Sequence, residues 1–183
     1  MYWESPGEEN TDKTLEMAVK RARELDIKNL VVASCSGNTA RKLLNSGLQI
    51  ICVTHHVGFG GPGQDEMPEH IRQELIQAGA KVLTTTHLFA GVDRALRNQF
   101  GGVYPAEIIA QTLRTFGQGV KVAIEISCMA KDAGFIPHGA EVIAIGGSAE
   151  GADAAIVVVP AHSNHFFATE VREIICMPRL KKK

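Results

Sequence analysis

Five short apolar segments constrain the fold of this chain more than any other feature of its sequence. They lack the polar alternation of a strand that has one face in water, and such segments are typical of parallel strands covered by helices on both faces. The segments are Asn29–Ala33, Leu48–Thr54, Lys81–Thr84, Glu141–Ile145 and Ala154–Val159. With helical segments between them, they predict a three-layer α/β/α domain.

The helical segments predict how the strands are connected. Leu15, Ala18, Ala22 and Leu25 recur at spacings of three and four residues, which predicts an amphipathic helix after Asn10. Further helices are predicted at residues 40–44, 68–78, 92–98, 105–116 and 120–132, and one more short strand at 171–177. Right-handed crossovers place the first three strands side by side, and the long helical excursion then returns the chain beside strand one. We therefore expect a switch point between strands one and four, where open α/β sheets bind ligands.

Charge and length limit the classes of function. The chain has 183 residues, with 19 Lys and Arg against 20 Asp and Glu, which argues against a partner held by a broad electrostatic field, such as duplex DNA or an acidic membrane. No apolar run approaches the ~18 residues of a membrane span, and the first ten residues lack signal-peptide features. The lysines at 181–183 are interpreted as a solubilising tail, and the four scattered cysteines as reduced thiols. We expect one cytoplasmic domain over residues 1–183.

A loop of small polar residues follows the first strand and opens a helix. Backbone N–H groups at such a position point at one spot and suit a phosphate or carboxylate. We therefore predict that Ser36, Gly37, Asn38 and Thr39 hold an anion, with Ser34 in support. Plain helix capping by the same residue types is an equally good interpretation.

Two further loops are expected at the same edge of the sheet. Gly146, Gly147 and Ser148 follow strand four and would line the wall opposite Ser34–Thr39, unless they only form a tight turn. The glycine-rich segment His55–Met67 matches neither a P-loop nor a dinucleotide-binding motif, and is either a lid or a solvated loop. The side chains expected on the remaining side of the site are Thr54, His55, Thr86 and His87.

The sequence indicates no metal site and names no reaction. His55/His56 and His162/His165 are pairs of the kind that ligate zinc, but no HExxH pattern or partnered Cys motif accompanies them. Glu125 lies in an apolar helix, so its carboxylate is either paired or functional, and a buried ion pair is the preferred interpretation. There is no GxSxG elbow.

Several segments together suggest a family. They are the leading helix TLEMAVKRARELD, the segments NLVVASCSGNTARKL and QIICVT, the FGGVYP segment, and the stretch AKDAGFIPHGAEVIAIGGSAEGADAAIVVV. From about Thr11 to Val159 the chain resembles the C-terminal domain of pyruvate kinase. The resemblance implies a mixed five-stranded sheet of order 3-2-1-4-5, with strand five antiparallel. It also implies a regulatory domain whose loop at Ser34–Thr39 receives the phosphate of a sugar-phosphate effector.

The chain departs from the kinase pattern in ways that change the expected ligand. It has no room for the catalytic barrel, Cys35 replaces a basic or polar loop residue, and the His55–Met67 segment is an insertion. It is similar to a group of stand-alone, mostly archaeal proteins for which bound flavin mononucleotide (FMN) is the implied ligand. The resemblance therefore implies a protein that binds FMN at the carboxyl edge of the sheet. Phe59 and Phe89 are the only aromatic rings in the rim loops.

Three functions follow as hypotheses. The first is FMN binding without pyruvate kinase activity, in which case flavin redox chemistry is the first reaction class to test. The second is a regulatory module that binds a sugar phosphate or nucleotide without catalysis, and the third is an enzyme that acts on a small phosphorylated substrate without a flavin. Apolar helix faces and low net charge also favour a homo-oligomer.

Overall fold

The computed structural model describes residues 1–181, so the last two residues of the predicted lysine tail lie outside the described residues. The strands are β1 (Tyr2–Trp3), β2 (Asn29–Ala33), β3 (Gln49–Thr54), β4 (Lys81–Thr84), β5 (Val142–Gly146), β6 (Ala154–Val159) and β7 (Glu170–Pro178). The helices are α1 (Thr11–Glu24), α2 (Asn38–Arg41), α3 (Glu69–Gln77), α4 (Val92–Phe100), α5 (Pro105–Leu113) and α6 (Gln118–Asp132). Short 3-10 turns cover Glu8–Asn10, Arg114–Phe116 and Ser163–Ala168. The second predicted helix starts two residues earlier than expected and is only one turn long.

The strands form one sheet in the order β1-β7-β6-β5-β2-β3-β4. The five predicted strands occupy consecutive positions: β2 to β5 run parallel, and β6 is antiparallel to β5. The expected switch point is therefore present between β2 and β5. The sheet has two strands more than the five that the resemblance implies: β7, which matches the short strand predicted at 171–177, pairs antiparallel with β6, and β1 pairs with β7. The two extra strands cover an edge of β6 that would otherwise leave its backbone groups unpaired.

Two hydrophobic cores lie on opposite faces of the sheet. Leu30 and Val32 pack against α1, α2 and α3, while the intervening Val31 packs against α6. Because successive side chains of a strand point to opposite faces, a strand covered on both sides must be apolar at every position. The three-layer prediction is confirmed, and all strand carboxyl ends from β2 to β5 meet at one edge of the sheet.

A very close contact joins α6 to β5. A Cβ atom on Gly146 would lie 2.2 Å from the carbonyl oxygen of Gly119 and 3.0 Å from the backbone nitrogen of Ala123. No side chain fits at that distance, so the backbones approach one another directly. The first turns of α6 consequently lie against the carboxyl end of β5, beside the ligand edge.

Helices α4 and α5 lie over this edge with little apolar burial. No residue of α4 is buried, and Val92, Phe100, Val103 and Ile108 expose more than half of their surface. These helices therefore form a cover for the edge and add little to either core. The homo-oligomer expected from the sequence stays a prediction, for which this apolar face is the natural surface.

The length and hydropathy of the helices can be compared with those of a membrane-spanning helix. Within residues 1–181, no helix combines the length and the apolar character that crossing a bilayer demands.

We predict that Gly146→Ala lowers the free energy of unfolding by about 1–3 kcal/mol, because the added methyl group overlaps the first turn of α6. The matched control is Gly60→Ala, where the new Cβ would meet nothing closer than 3.7 Å, and its effect should stay within about 0.5 kcal/mol. Urea unfolding measures both values. Equal stabilities of the two variants would contradict the close contact.

Candidate functional site

Two cavities open at the carboxyl edge of the sheet. The switch-point cleft lies between the loops after β2 and β5 and has a volume of about 460 Å³. The basic cavity has a volume of about 270 Å³ and lies over the ends of β2, β3 and β4, beneath α4, α5 and α6. Cys35 and His55 border both cavities, so these residues form the junction between them.

The switch-point cleft is dominated by carboxylates. Glu8, Glu66 and Glu150 line it, and its one lysine, Lys42, forms an ion pair at 2.6 Å with Asp12. Three of the predicted anion-binding residues also border it, namely Ser36, Asn38 and Thr39. The charge of this cleft opposes a phosphate and favours a cation.

The loop at Ser34–Thr39 uses part of its donor capacity internally. The buried Ser34 hydroxyl accepts the backbone N–H groups of Thr39 at 3.2 Å and Ala40 at 3.4 Å, so it caps α2. Gly37 adopts a φ of 86°, and a Cβ there would lie 2.4 Å from a methyl group of Ile71. The capping interpretation is confirmed for Ser34, and Gly37 is required by backbone conformation and packing.

Gly146, Gly147 and Ser148, predicted to form the wall opposite Ser34–Thr39, do not line the switch-point cleft. Gly146 packs on α6, and a Cβ on Gly147 would lie 2.4 Å from the carbonyl oxygen of Gly151. The Ser148 side chain is buried. The residues that line the cleft on this side are Ala149, Glu150 and Gly151. The tight-turn alternative therefore describes Gly146, Gly147 and Ser148 better than a ligand wall does.

Thr86 and His87, the two residues predicted to line the site after β4, border different cavities. His87 borders the basic cavity, whereas Thr86 borders another depression together with Leu83 and Asp132. Neighbouring residues of an extended segment point in opposite directions, so only one of them can face the cavity. Thr54 does border the basic cavity, with its hydroxyl 2.7 Å from that of Thr84.

Cations outnumber carboxylates in the basic cavity. Its charged lining residues are Arg94, Arg97, Arg114, Lys121, Glu107 and Glu125. Both carboxylates are paired, Glu107 with Arg97 at 2.5 Å and Glu125 with Lys121. Arg94 and Arg114 form no ion pair with a carboxylate in the part of the chain that the structure describes. Their guanidinium groups leave the cavity with positive charge to offer a ligand.

Glu125 pairs with Lys121 on α6 and also links this helix to the segment after β4. Both side chains are buried, and Glu125 Oε1 also accepts the backbone N–H of Phe89 at 3.0 Å. Burial lowers the pKa of Lys121, although the neighbouring carboxylate opposes this shift. The buried ion pair predicted for Glu125 is confirmed, and it positions the chain that carries His87.

Aromatic rings form one wall of the basic cavity. His55 stacks on Phe59 with ring centroids 3.7 Å apart, and His87 packs edge-on to His55 at 5.1 Å. The guanidinium of Arg94 lies 5.9 Å from the Phe59 ring centre, within cation–π range. The glycine-rich segment thus folds back onto the edge of the sheet, where it contributes Phe59 to the wall.

Cys35, His55 and Glu66 converge at the junction of the cavities. One potential ligand atom from each residue lies within 4.8 Å of the other two, and His55 Nδ1 is 2.5 Å from a Glu66 oxygen. Burial raises the pKa of the Cys35 thiol to about 11, so the free thiol stays protonated at neutral pH and is a poor nucleophile.

Sequence reasoning missed Arg94, Arg114 and Lys121 as site residues. Arg94 and Lys121 lie on helices and Arg114 in the 3-10 turn after α5, where a cation is usually interpreted as part of a solvated face. The topology alone could have indicated them, because the helices that follow β4 begin at the carboxyl edge of the sheet. It also missed Cys35 and Glu66 as partners of His55, because Glu66 lies eleven residues from His55 in an irregular loop.

We predict that His87 contributes to acid sensitivity. Burial lowers its pKa, assisted by His55 and Lys121 and opposed by Glu125. The unfolded state therefore binds more protons than the folded state below about pH 6.5, and stability falls as the pH drops from there through the folded-state pKa.

The test is urea unfolding between about pH 7.5 and 5.5, a range that spans the unfolded-state pKa. His87→Gln should lose part of the decrease in stability seen for the wild type. His138→Gln, at an exposed histidine, should keep it in full. Identical pH dependence in the wild type and His87→Gln would contradict this assignment.

The sequence matches a known family of domains. Residues 12–158 match the family described as pyruvate kinase, alpha/beta domain. A Cryptosporidium parvum pyruvate kinase in complex with ADP aligns at 18% identity over 80% of this chain and 22% of that chain, with a TM-score of 0.41. Another crystal structure of Cryptosporidium parvum pyruvate kinase aligns at 16% identity over 87% and 21% of the two chains, with a TM-score of 0.37.

The chain thus spans about a fifth of the length of these kinase structures. The segment that matches is the alpha/beta domain, and a pyruvate kinase catalytic domain is not evident in residues 1–181. The match to the family covers well over half of the chain. This chain therefore belongs to the family of pyruvate kinase alpha/beta domains.

Proposed function

We propose that this protein binds a phosphorylated aromatic ligand, FMN in the first instance, at the carboxyl edge of its sheet, and that it does not act as a pyruvate kinase. One observation carries the proposal: Arg94 and Arg114 lack carboxylate partners among residues 1–181 and border a cavity that has an aromatic wall. A phosphate binds well to guanidinium groups that are not neutralised by a carboxylate, and a flat ring system packs well against an aromatic wall.

The charge distribution supports the basic cavity as the position of the phosphate. Arginine offers a planar fork of donors that matches phosphate oxygens, and two such groups border this cavity. The switch-point cleft instead presents three glutamates, and Ser34 already occupies two backbone donors of its loop. A phosphate at Ser36, Asn38 and Thr39, as the sequence predicts, is the competing position.

The size of the basic cavity limits how the ligand lies. Its 270 Å³ is slightly below the roughly 300 Å³ at which ligand pockets usually begin. A ligand as large as FMN must therefore extend past Cys35 and His55 into the switch-point cleft. In this arrangement the arginines hold the phosphate, and the ring lies beside His55 and Phe59. The bound flavin would supply its own redox chemistry, and the protein would supply position and electrostatics.

A regulatory module that binds a sugar phosphate or nucleotide without catalysis is the second candidate. It is supported by the chemical state of the cavity groups. Glu107 and Glu125 are held in ion pairs, and the Cys35 thiol is protonated at neutral pH. These groups are not poised for nucleophilic or general-base catalysis. The same two arginines would hold the phosphate of such a ligand.

We predict that FMN binds and that riboflavin, which lacks the phosphate, binds at least about tenfold more weakly, because charge-assisted hydrogen bonds contribute about 1.5–3 kcal/mol. Arg94→Ala and Arg114→Ala should each raise the Kd for FMN by about tenfold or more and leave the Kd for riboflavin nearly unchanged. Flavin fluorescence titration and calorimetry measure these constants.

Asn38→Ala is the matched control in the competing position, since Asn38 is exposed in the switch-point cleft. Its Kd for FMN should stay within about twofold of wild type, a change under 0.5 kcal/mol. Loss of FMN binding in Asn38→Ala, with retention in both arginine variants, would move the phosphate to the loop after β2. Binding of a sugar phosphate without any binding of FMN would favour the second candidate.

A further inference from the structure

We infer that Cys35, His55 and Glu66 form a binding site for a divalent transition-metal ion, with zinc as the best match, at the junction of the two cavities. The inference reverses the sequence-based prediction that no metal is bound. It rests on the side chains at the junction and does not depend on the proposed flavin.

The strand register brings the first two ligands together. Ala33 pairs with Val53 in the parallel ladder of β2 and β3, so the residues that follow these strands, Cys35 and His55, emerge side by side. Glu66 joins them from the far end of the glycine-rich segment. Hydrogen bonds within that segment, such as Gly58 N–H to the carbonyl oxygen of Gln64 at 2.8 Å, fold it back toward β3.

The distances require only a modest adjustment. The ligand atoms lie within 4.8 Å of one another, whereas zinc bonds of about 2.0–2.3 Å in a tetrahedron separate ligand atoms by roughly 3.3–3.8 Å. Side-chain rotation of Glu66, which exposes 38% of its surface, can close that difference. The ion would then replace the direct contact between His55 and Glu66.

The type of ligand indicates the type of metal. A thiolate together with an imidazole selects zinc and related transition metals, whereas magnesium and calcium require oxygen ligands. Three protein ligands leave one tetrahedral position open, as in zinc sites that bind water or a small molecule. That position would face the cavities that Cys35 and His55 share.

Two features outside the cluster support a cation at this point. Glu8 and Glu150 line the same cleft and add negative charge without belonging to the ligand set. The His55 ring packs against both Phe59 and His87, which restricts its orientation in the way that surrounding groups orient metal-bound histidines. The excess of carboxylate that opposes a phosphate in this cleft therefore favours a metal ion.

Binding must displace the thiol proton. A metal-bound cysteine is a thiolate, whereas a free thiol is largely protonated at neutral pH, so binding should release about one proton per ion. Isothermal titration with zinc in buffers of different ionisation enthalpy measures this release. The flavin-free full chain is the protein to use, kept reduced throughout.

We predict about one zinc ion per chain after dialysis, measured by elemental analysis. Cobalt in place of zinc should give a thiolate-to-metal charge-transfer band that Cys35→Ser abolishes. Cys35→Ser and Glu66→Gln should each weaken zinc binding by at least about tenfold. His56→Gln is the matched control, a neighbouring histidine outside the cluster, and should change the affinity by less than about threefold.

A thermal melt separates loss of the site from loss of the fold. The wild type should melt at a higher temperature with zinc than without it, and a folded Cys35→Ser variant should melt at the same temperature in both conditions. Unchanged zinc affinity in both Cys35→Ser and Glu66→Gln would overturn the site, as would a cobalt spectrum without a thiolate band. Neither outcome depends on whether FMN binds.

Discussion

The close contact between α6 and β5 determines how the ligand edge is built. Gly119 and Gly146 leave no room for a side chain, so the helix backbone lies directly on the end of the strand. This contact brings the buried Lys121 and Glu125 to the wall of the basic cavity. Glu125 in turn accepts the Phe89 N–H and thereby positions the segment that carries His87. The close packing of Gly119 and Gly146 thus determines where the charged side chains of α6 lie in the basic cavity.

Charge is separated along that edge, and this separation decides what can bind where. Within the described part of the chain, Arg94 and Arg114 border the basic cavity without carboxylate partners, while glutamates line the switch-point cleft. Cys35 and His55 lie between the two regions and border both. An anionic ligand group therefore suits one end, and a cation suits the other. Both proposals follow from the same distribution of charge, although each can fail without the other.

The sequence predicts the sheet well because strands buried on both faces must be apolar at every position, as Val31 and its neighbours are. It does not predict β1, since Tyr2–Trp3 is too short to carry a pattern. The loop after β2 was correctly located, but helix capping and anion binding use the same residue types there. Arg94 on α4 and Arg114 in the 3-10 turn after α5 were missed because such side chains acquire a role only when tertiary packing places their segment over a cavity. For the same reason the pairing of Cys35 with Glu66 had no local signal.

In our proposal, the basic cavity at the carboxyl edge holds the phosphate of an aromatic ligand. A crystal structure of the full chain with FMN diffused into the crystals tests it most directly. We expect phosphate density in contact with the guanidinium groups of Arg94 and Arg114, and the flavin ring beside His55. Phosphate density at Ser36–Thr39, or ligand density away from the carboxyl edge of the sheet, would contradict it.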